Sequence, residues 1–235
     1  MKLADFNIRA TPPQRSKRVR EDLELALALG LHVYCWQELG KYKRYIRILK
    51  RVFGRDRWRH LFEGKRNIIT LRRKRFHVLD TRTKLLSKAA GWLPQPKRLA
   101  NAVLLRDKYT GDVDWVVNFH LTNGAKNRRW FPRRIKEARV NRWLDEVDDL
   151  RAFVAELLEV CDAPVWLCAD SNSRRMPRLH ADQVDVVSDA PMHISVVYSS
   201  RAKASAVRGT VIPKRRLNTD HGGLTAEEKP RARQP

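Results

Sequence analysis

Val165-Trp166-Leu167-Cys168-Ala169 is a run of five apolar residues, opened by Pro164 and closed by Asp170-Ser171-Asn172-Ser173. So short a run, bounded by turn-forming residues, predicts a buried strand. Asp170 and Asn172 then stand where the strand leaves the core. Two residues apart on an extended backbone, they point the same way. A carboxylate beside a carboxamide can hold a hard metal ion and donate a hydrogen bond to a phosphate oxygen. The same Asp-x-Asn pattern also makes an Asx turn that closes a strand. The rest of the chain decides between the two.

The pattern of an apolar strand ending in a polar residue recurs. Leu3 to Ile8 predicts a strand ending at Asn7. Thr11-Pro12-Pro13 breaks it, and Ser16 to Leu29 predicts a helix with Val19, Leu23 and Leu27 on its apolar face and Gly30 at its end. His32 to Trp36 predicts the next strand, ending in Gln37-Glu38. Strand, helix, strand implies a parallel pair, which brings Asn7 and Glu38 to the same end of one sheet. Further on, Arg57 to Leu61, Asn67 to Leu71 and Phe76 to Asp80 read as antiparallel strands, with 72–75 as the turn between the last two. Leu85 to Lys97 reads as irregular. Ala100 to Arg106 and Val113 to His120 read as a hairpin whose second strand ends at His120. Arg133 to Val160 predicts one long helix, with Pro132 at its start and an apolar stripe through Ile135, Ala138, Trp143, Val147, Leu150, Val154 and Leu157. Arg174 to Gln183 reads as loop. His193 to Tyr198 and Ala206 to Ile212 predict two more strands, and Asp220-His221-Gly222-Gly223 follows.

Charge narrows the partner. The chain has 235 residues and a formal charge of +23, with 43% hydrophobic residues. It can form a real core, and its field favours polyanions, nucleic acid before an acidic membrane surface. The charge is uneven: 41–75 carries 15 Lys or Arg against Asp56 and Glu63. Aromatic and aliphatic residues at rough helical spacing interleave with it from Tyr42 to Phe53, which suits contact with a phosphate backbone. A second basic stretch, 125–142, contains Lys126, Arg128 and Arg129 beside Trp130 and Phe131. Both are expected to flank the active site and grip phosphates, with Arg72, Arg73, Lys126, Arg128 and Arg129 as substrate contacts. Cys35, Cys161 and Cys168 lack the spacing of a disulfide framework or a zinc site, so a reducing cytoplasm is expected. No signal-peptide pattern and no membrane-length apolar run is present. One domain over 1–226 and a disordered tail over 227–235 are expected.

Asn7, Glu38, His120, Asp170, Asn172, Asp220 and His221 all fall at or just after strand ends. Carboxylates, carboxamides and histidines are the groups that metal-assisted phosphodiester hydrolysis needs. The segments Phe6-Asn7-Ile8, Trp36-Gln37-Glu38, Asn118-Phe119-His120-Leu121, Ala169-Asp170-Ser171-Asn172 and Thr219-Asp220-His221 span nearly the whole chain. In that order they resemble the endonuclease/exonuclease/phosphatase superfamily, the deoxyribonuclease I-like fold. The resemblance implies an α/β four-layer sandwich, α/β/β/α, of two mixed sheets.

It also implies roles. Glu38 would be the principal ligand of Mg²⁺, or of Mn²⁺ in its place, assisted by Asn7 and Asp220. Asp170 would orient or activate the attacking water, and Asn172 would bind the scissile phosphate. His221 would be the general base, and His120 would bind or protonate the phosphate. The family's aspartate on the penultimate strand, which orients the catalytic histidine, is matched here by Ser195; Asp185 or Asp189 could supply the missing charge. Ser195→Asp is then expected to raise turnover. The function so implied is a metal-dependent phosphodiesterase acting on nucleic acid, DNA before RNA, as an endonuclease with little sequence preference. A catalytically inactive nucleic-acid-binding protein on the same fold, and a lipid or small-molecule phosphatase, are the alternatives. The short arginine-rich chain fits a bacterial or bacteriophage protein of the cytoplasm.

Overall fold

The computed structural model describes residues 1–8, 16–39, 42–89, 96–123, 132–173, 175–189, 192–198, 207–213 and 223–228. Among them the chain runs β1 (Lys2–Asn7), α1 (Ser16–Ala28), β2 (Val33–Gln37), α2 (Lys43–Phe53), β3 (Trp58–Leu61), β4 (Ile68–Arg72), β5 (Phe76–Ser87) and β6 (Arg98–Asp107). It continues with β7 (Val113–His120), α3 (Arg133–Val160), β8 (Val165–Asp170), β9 (Gln183–Asp189), β10 (Met192–Val197), β11 (Val207–Ile212) and β12 (Gly223–Glu228).

Strand alternation builds the layers. From β1 and β2, Ala4, Phe6, Tyr34 and Trp36 face outward and pack on Val19 and Leu23 of α1 and on Tyr45, Leu49 and Phe53 of α2. Leu3, Val33 and Cys35 face inward and meet Val116, Trp166, Cys168, Ile194 and Val196 of the second sheet. The outer face of that sheet, with Trp115, Val117, Val165 and Leu167, takes the α3 stripe of Trp143, Val147, Leu150, Val154 and Leu157. The result is the expected α/β/β/α sandwich. One sheet has the order β11-β12-β1-β2-β4-β3 and the other β5-β6-β7-β8-β10-β9. β1 with β2 and β7 with β8 are parallel; their neighbours are antiparallel.

Four expectations change. β4 and β5 do not pair: they lie in different sheets, and the chain crosses between sheets at 73–75. β5 runs on to Ser87, because its whole length pairs with β6 through two register shifts. β9 is a strand where no strand is expected; it is an edge strand with little burial, so it has no apolar run to reveal it. β12 likewise escapes a reading by propensity, since Gly-Leu-Thr-Ala-Glu-Glu forms strand only through pairing with β1 on one side and β11 on the other. Glu227 and Glu228 therefore belong to a central strand rather than to a tail, and 229–235 lie outside the described residues.

Candidate active site

The C-terminal ends of β1, β2, β7 and β8 meet at one end of the layer between the sheets. Asn7 pairs with Gln37 in one sheet and His120 with Asp170 in the other, so all four strands stop at the same level. Asn7 Nδ2 donates to Asp170 Oδ2 at 2.5 Å across the sheets. His120 sits between two carboxylates, with Nε2 at 3.5 Å from Asp170 Oδ2 and Nδ1 at 3.8 Å from Glu38 Oε1. Asp170 and His120 are 1% and 4% exposed, so this end of the layer is nearly dry and its charges are weakly screened.

Asp170 closes the Asx turn that its sequence offers. Its Oδ1 accepts the Asn172 backbone N–H at 3.1 Å, closing an Asx turn with Asn172 at φ +51°. Its Oδ2 is left for Asn7 and His120. Asn172 Nδ2 donates to Leu121 O at 2.8 Å, which ties the turn to the end of β7 and leaves one amide hydrogen for a ligand. The turn is braced from outside as well. Trp143 Nε1 on α3 donates to Ser171 O at 2.9 Å. His193 Nε2 lies 3.1 Å from Ser173 O, and its Nδ1 lies 2.9 Å from Ser188 Oγ. Burial lowers the His193 pKa, with the Ser173 carbonyl and Asp185 opposing, so the neutral ring donates from Nε2 and accepts from Ser188.

Beneath the site lies a polar bridge between the sheets. Gln37 Nε2 donates to Asp5 Oδ1 at 2.5 Å and to Asn118 Oδ1 at 2.8 Å. Asn118 Nδ2 donates to the carbonyls of Trp36 and Ile68 at 3.2 and 2.9 Å. Burial drives the Asp5 pKa well above the carboxylate range; Gln37 opposes this, Asp170 adds to it, and a backbone hydrogen bond from Ala169 opposes it. A second hub is Glu146 on α3, fully buried, which accepts from Thr122 N–H and Oγ1 at 2.7 Å each and from Ser87 Oγ at 2.5 Å. It pins the segment that follows His120. Gln37 and Asn118 appear in the sequence motifs only as neighbours of Glu38 and His120. Glu146 carries no local signal, because on a charged helix one inward carboxylate looks like its solvated neighbours.

The remaining expected residues divide. Asp220, His221, Lys126, Arg128 and Arg129 lie outside the described residues. Arg72 and Arg73 lie at the wrong end. The Arg72 N–H bonds to His32 O, before the start of β2, whereas Glu38 follows its last residue. The antiparallel run of β4 against β2 puts its start, not its end, beside the site. Arg73 Nε is spent on the carbonyls of Arg55 and Trp58. Ser195 faces away as well: alternation on β10 turns Met192, Ile194 and Val196 into the inter-sheet layer. Ser195 points to the other face and donates to Asp185 Oδ1 at 2.7 Å. On the site side β10 thus offers apolar residues.

Other cations do reach the site. A cavity of about 280 Å³ opens beside His120, walled by Lys65, Arg66, Asn67, Lys97 and Arg98. Lys65 and Arg66 belong to the basic stretch singled out by composition; Lys97 ends the segment read as irregular, and Arg98 falls between it and the strand expected from Ala100. Burial lowers the Arg98 pKa to about 10, with Glu146 opposing and Arg66 adding, and it stays charged at neutral pH.

No family model and no curated protein matches the chain. Solved structures do. The mannosyl-6-phosphatase of Bacteroides thetaiotaomicron superposes with a TM-score of 0.73 at 14% identity, over 97% of this chain and 98% of that one. An endonuclease/exonuclease/phosphatase of Bacteroides vulgatus gives 0.68 at 16%, over 97% and 98%. TDP2 of D. rerio, complexed with single strand DNA product, gives 0.71 at 17%, over 96% and 97%. Two six-stranded mixed sheets between helices, matched end to end by these structures, establish that this chain has the endonuclease/exonuclease/phosphatase fold, the deoxyribonuclease I-like sandwich.

Proposed function

We propose that the chain is a metal-assisted phosphodiesterase acting on nucleic acid, in the first place a DNA endonuclease with little sequence preference. The observation that carries this reading is the convergence of Asn7, Glu38, His120, Asp170 and Asn172 at one end of the inter-sheet layer of a strongly basic chain. TDP2, which shares the fold, has been crystallised with a DNA product, and the charge of this chain favours the same class of ligand.

The donor set suits a hard cation. Glu38 and Asn7 offer carboxylate and carboxamide oxygens at adjacent strand ends. Among the described residues no cluster of three or more His, Cys, Asp or Glu is placed to hold a metal. Mg²⁺ keeps several waters and takes only one or two carboxylates, which a strand-end carboxylate beside a carboxamide can supply. Glu38, Asn7 and Asp220 would hold it; when bound, it offsets charge on the phosphate. Asp170, held by Asn7 and by the Asn172 N–H, orients the attacking water with little freedom left to lose. His120 binds or protonates the phosphate, and the second amide hydrogen of Asn172 reaches a phosphate oxygen. His221 takes the proton from water, and Lys126, Arg128 and Arg129 contact the strand.

The test is supercoiled plasmid with Mg²⁺, with and without EDTA, beside a Glu38→Ala variant. Conversion to open circles that needs both metal and Glu38 is the expected result; metal-independent or Glu38-independent nicking would refute it. A second reading, a protein of this fold that binds nucleic acid without cutting it, draws on Ser195, which lies off the inter-sheet face of β10 and donates to Asp185. A gel shift without nicking would favour it.

A further inference from the structure

The cavity beside His120 is a built feature. Asn67 immediately precedes β4 in one sheet and Arg98 opens β6 in the other. Asn67 Nδ2 donates to Leu99 O at 2.7 Å, and Asn101 Nδ2 returns a bond to Asn67 O at 2.6 Å. These reciprocal bonds tie the two sheets together under the cavity floor. Its walls carry four cations, Lys65, Arg66, Lys97 and Arg98, and no carboxylate. Lys65 Nζ is satisfied by a neutral group, Thr83 Oγ1 at 2.8 Å. Among the described residues Lys65, Arg66 and Lys97 make no ion pair. Arg98 is 4% exposed, so its charge cannot be dissipated into solvent. Glu146, Asp170 and Glu38 act on Arg98, whereas Lys65, Arg66 and Lys97 line the cavity with no ion pair among the described residues and are the charges an entering anion would meet. Asn67 Oδ1 adds an acceptor: it is buried and has no hydrogen-bond partner among the described residues. Cations with one acceptor suit a phosphate that carries a hydroxyl or amino group nearby, as a nucleotide does.

We propose that this cavity is a second phosphate subsite, which holds the phosphate one nucleotide along from the one at His120 and takes a sugar hydroxyl or base amino group on Asn67 Oδ1. The proposal rests on the reading of the Glu38–His120–Asp170 centre as the place where the scissile phosphate sits. It makes the substrate a chain with consecutive phosphates and sets it apart from a sugar carrying a single phosphate.

Calorimetric titration of the full chain in EDTA, where nothing is turned over, tests it. The ligands are a 5′-phosphorylated thymidine dinucleotide, its unphosphorylated counterpart with one phosphate, and mannose 6-phosphate. The first should bind about tenfold or more tightly than the other two. Arg66→Gln with Lys97→Gln should abolish that margin. Lys74→Gln with Arg106→Gln, an equal change of charge at the far end of β4 and β6, should keep it. Lys65→Gln repeats the test with a single side chain if the first pair unfolds. Equal affinity for the two dinucleotides, or a margin that survives loss of the Arg66 and Lys97 charges, overturns the proposal. The margin with an uncut plasmid keeps the subsite and removes the hydrolytic reading; cutting without the margin does the reverse.

Discussion

Glu38 holds a left-handed backbone conformation, φ +64°, just past the last residue of β2. A side chain with a Cβ is strained there by about 1 kcal/mol, and such strain gathers where a particular side chain must be aimed. Glu38→Gly should therefore be more stable than Glu38→Ala by about 1 kcal/mol, although glycine loses more chain entropy on folding. Both should lose metal-dependent turnover. Urea midpoints in that order, from two equally inactive variants, would show strain held for function; the reverse order would refute it. Ser195 leads to a different outcome from the one its sequence neighbours suggest. It is fully buried and donates to Asp185. Ser195→Asp should lower stability by about 2 kcal/mol and leave turnover no higher, because it puts a carboxylate at a fully buried position and replaces a hydrogen bond with a like-charge contact to the exposed Asp185. A rise in kcat would place Ser195 at the site after all.

At the scale of elements, the site depends on how closely β12 can lie against β1. Gly223 pairs with Phe6, and a Cβ there would stand 2.3 Å from one ring carbon and 2.6 Å from another. Phe6 cannot swing away, since it is stacked on Trp36 with centroids 5.3 Å apart and only 1% exposed. Gly223→Ala should cost about 1–3 kcal/mol by overpacking, read as a shifted denaturant midpoint with an unchanged slope. A neutral result would mean that the strand can slide at no cost. The requirement is invisible in the sequence, because it is set by Phe6 at the other end of the chain. The helices were easier: the Trp143 to Leu157 stripe of α3 is buried as its spacing implies, because one face of a helix is a local pattern.

For the whole molecule, acid is the exposed weakness. The His32 pKa is pushed down to about 4, by burial first and then by Arg75, Arg72, the N-terminus and Lys2. The His60 pKa also falls to about 4, through burial, with Glu63 opposing and Lys50, Arg73 and Arg55 adding. The unfolded chain takes up these protons near pH 6.5; the folded chain refuses them until about 4. Stability contributed above 6.5 is therefore lost as the pH falls through that window and levels off below it. The slope is at most about 1.4 kcal/mol per pH unit for each histidine, and less for the partly exposed ring of His32. Denaturant unfolding at pH 7, 5.5 and 4.5 should follow this trend, and His60→Gln should flatten it. An unchanged slope in that variant would assign the loss to carboxylates instead.

The sequence by itself determined which residues stand at the strand ends, because an apolar run with a polar stop is written in consecutive residues. Asn7, Glu38, His120 and Asp170 come together for that reason. That Asn172 leaves the extended backbone at φ +51° was not written there. Only the tertiary structure decided what depends on pairing across long separations. It put β4 and β5 in different sheets, made a central strand of Gly223–Glu228, and sent Arg72 and Arg73 to the far end while Lys65, Arg66, Lys97 and Arg98 gathered at His120. Charge is a property of composition, but the place where charges converge is set by which strand ends are neighbours, and that is settled by the burial of the two sheets against each other.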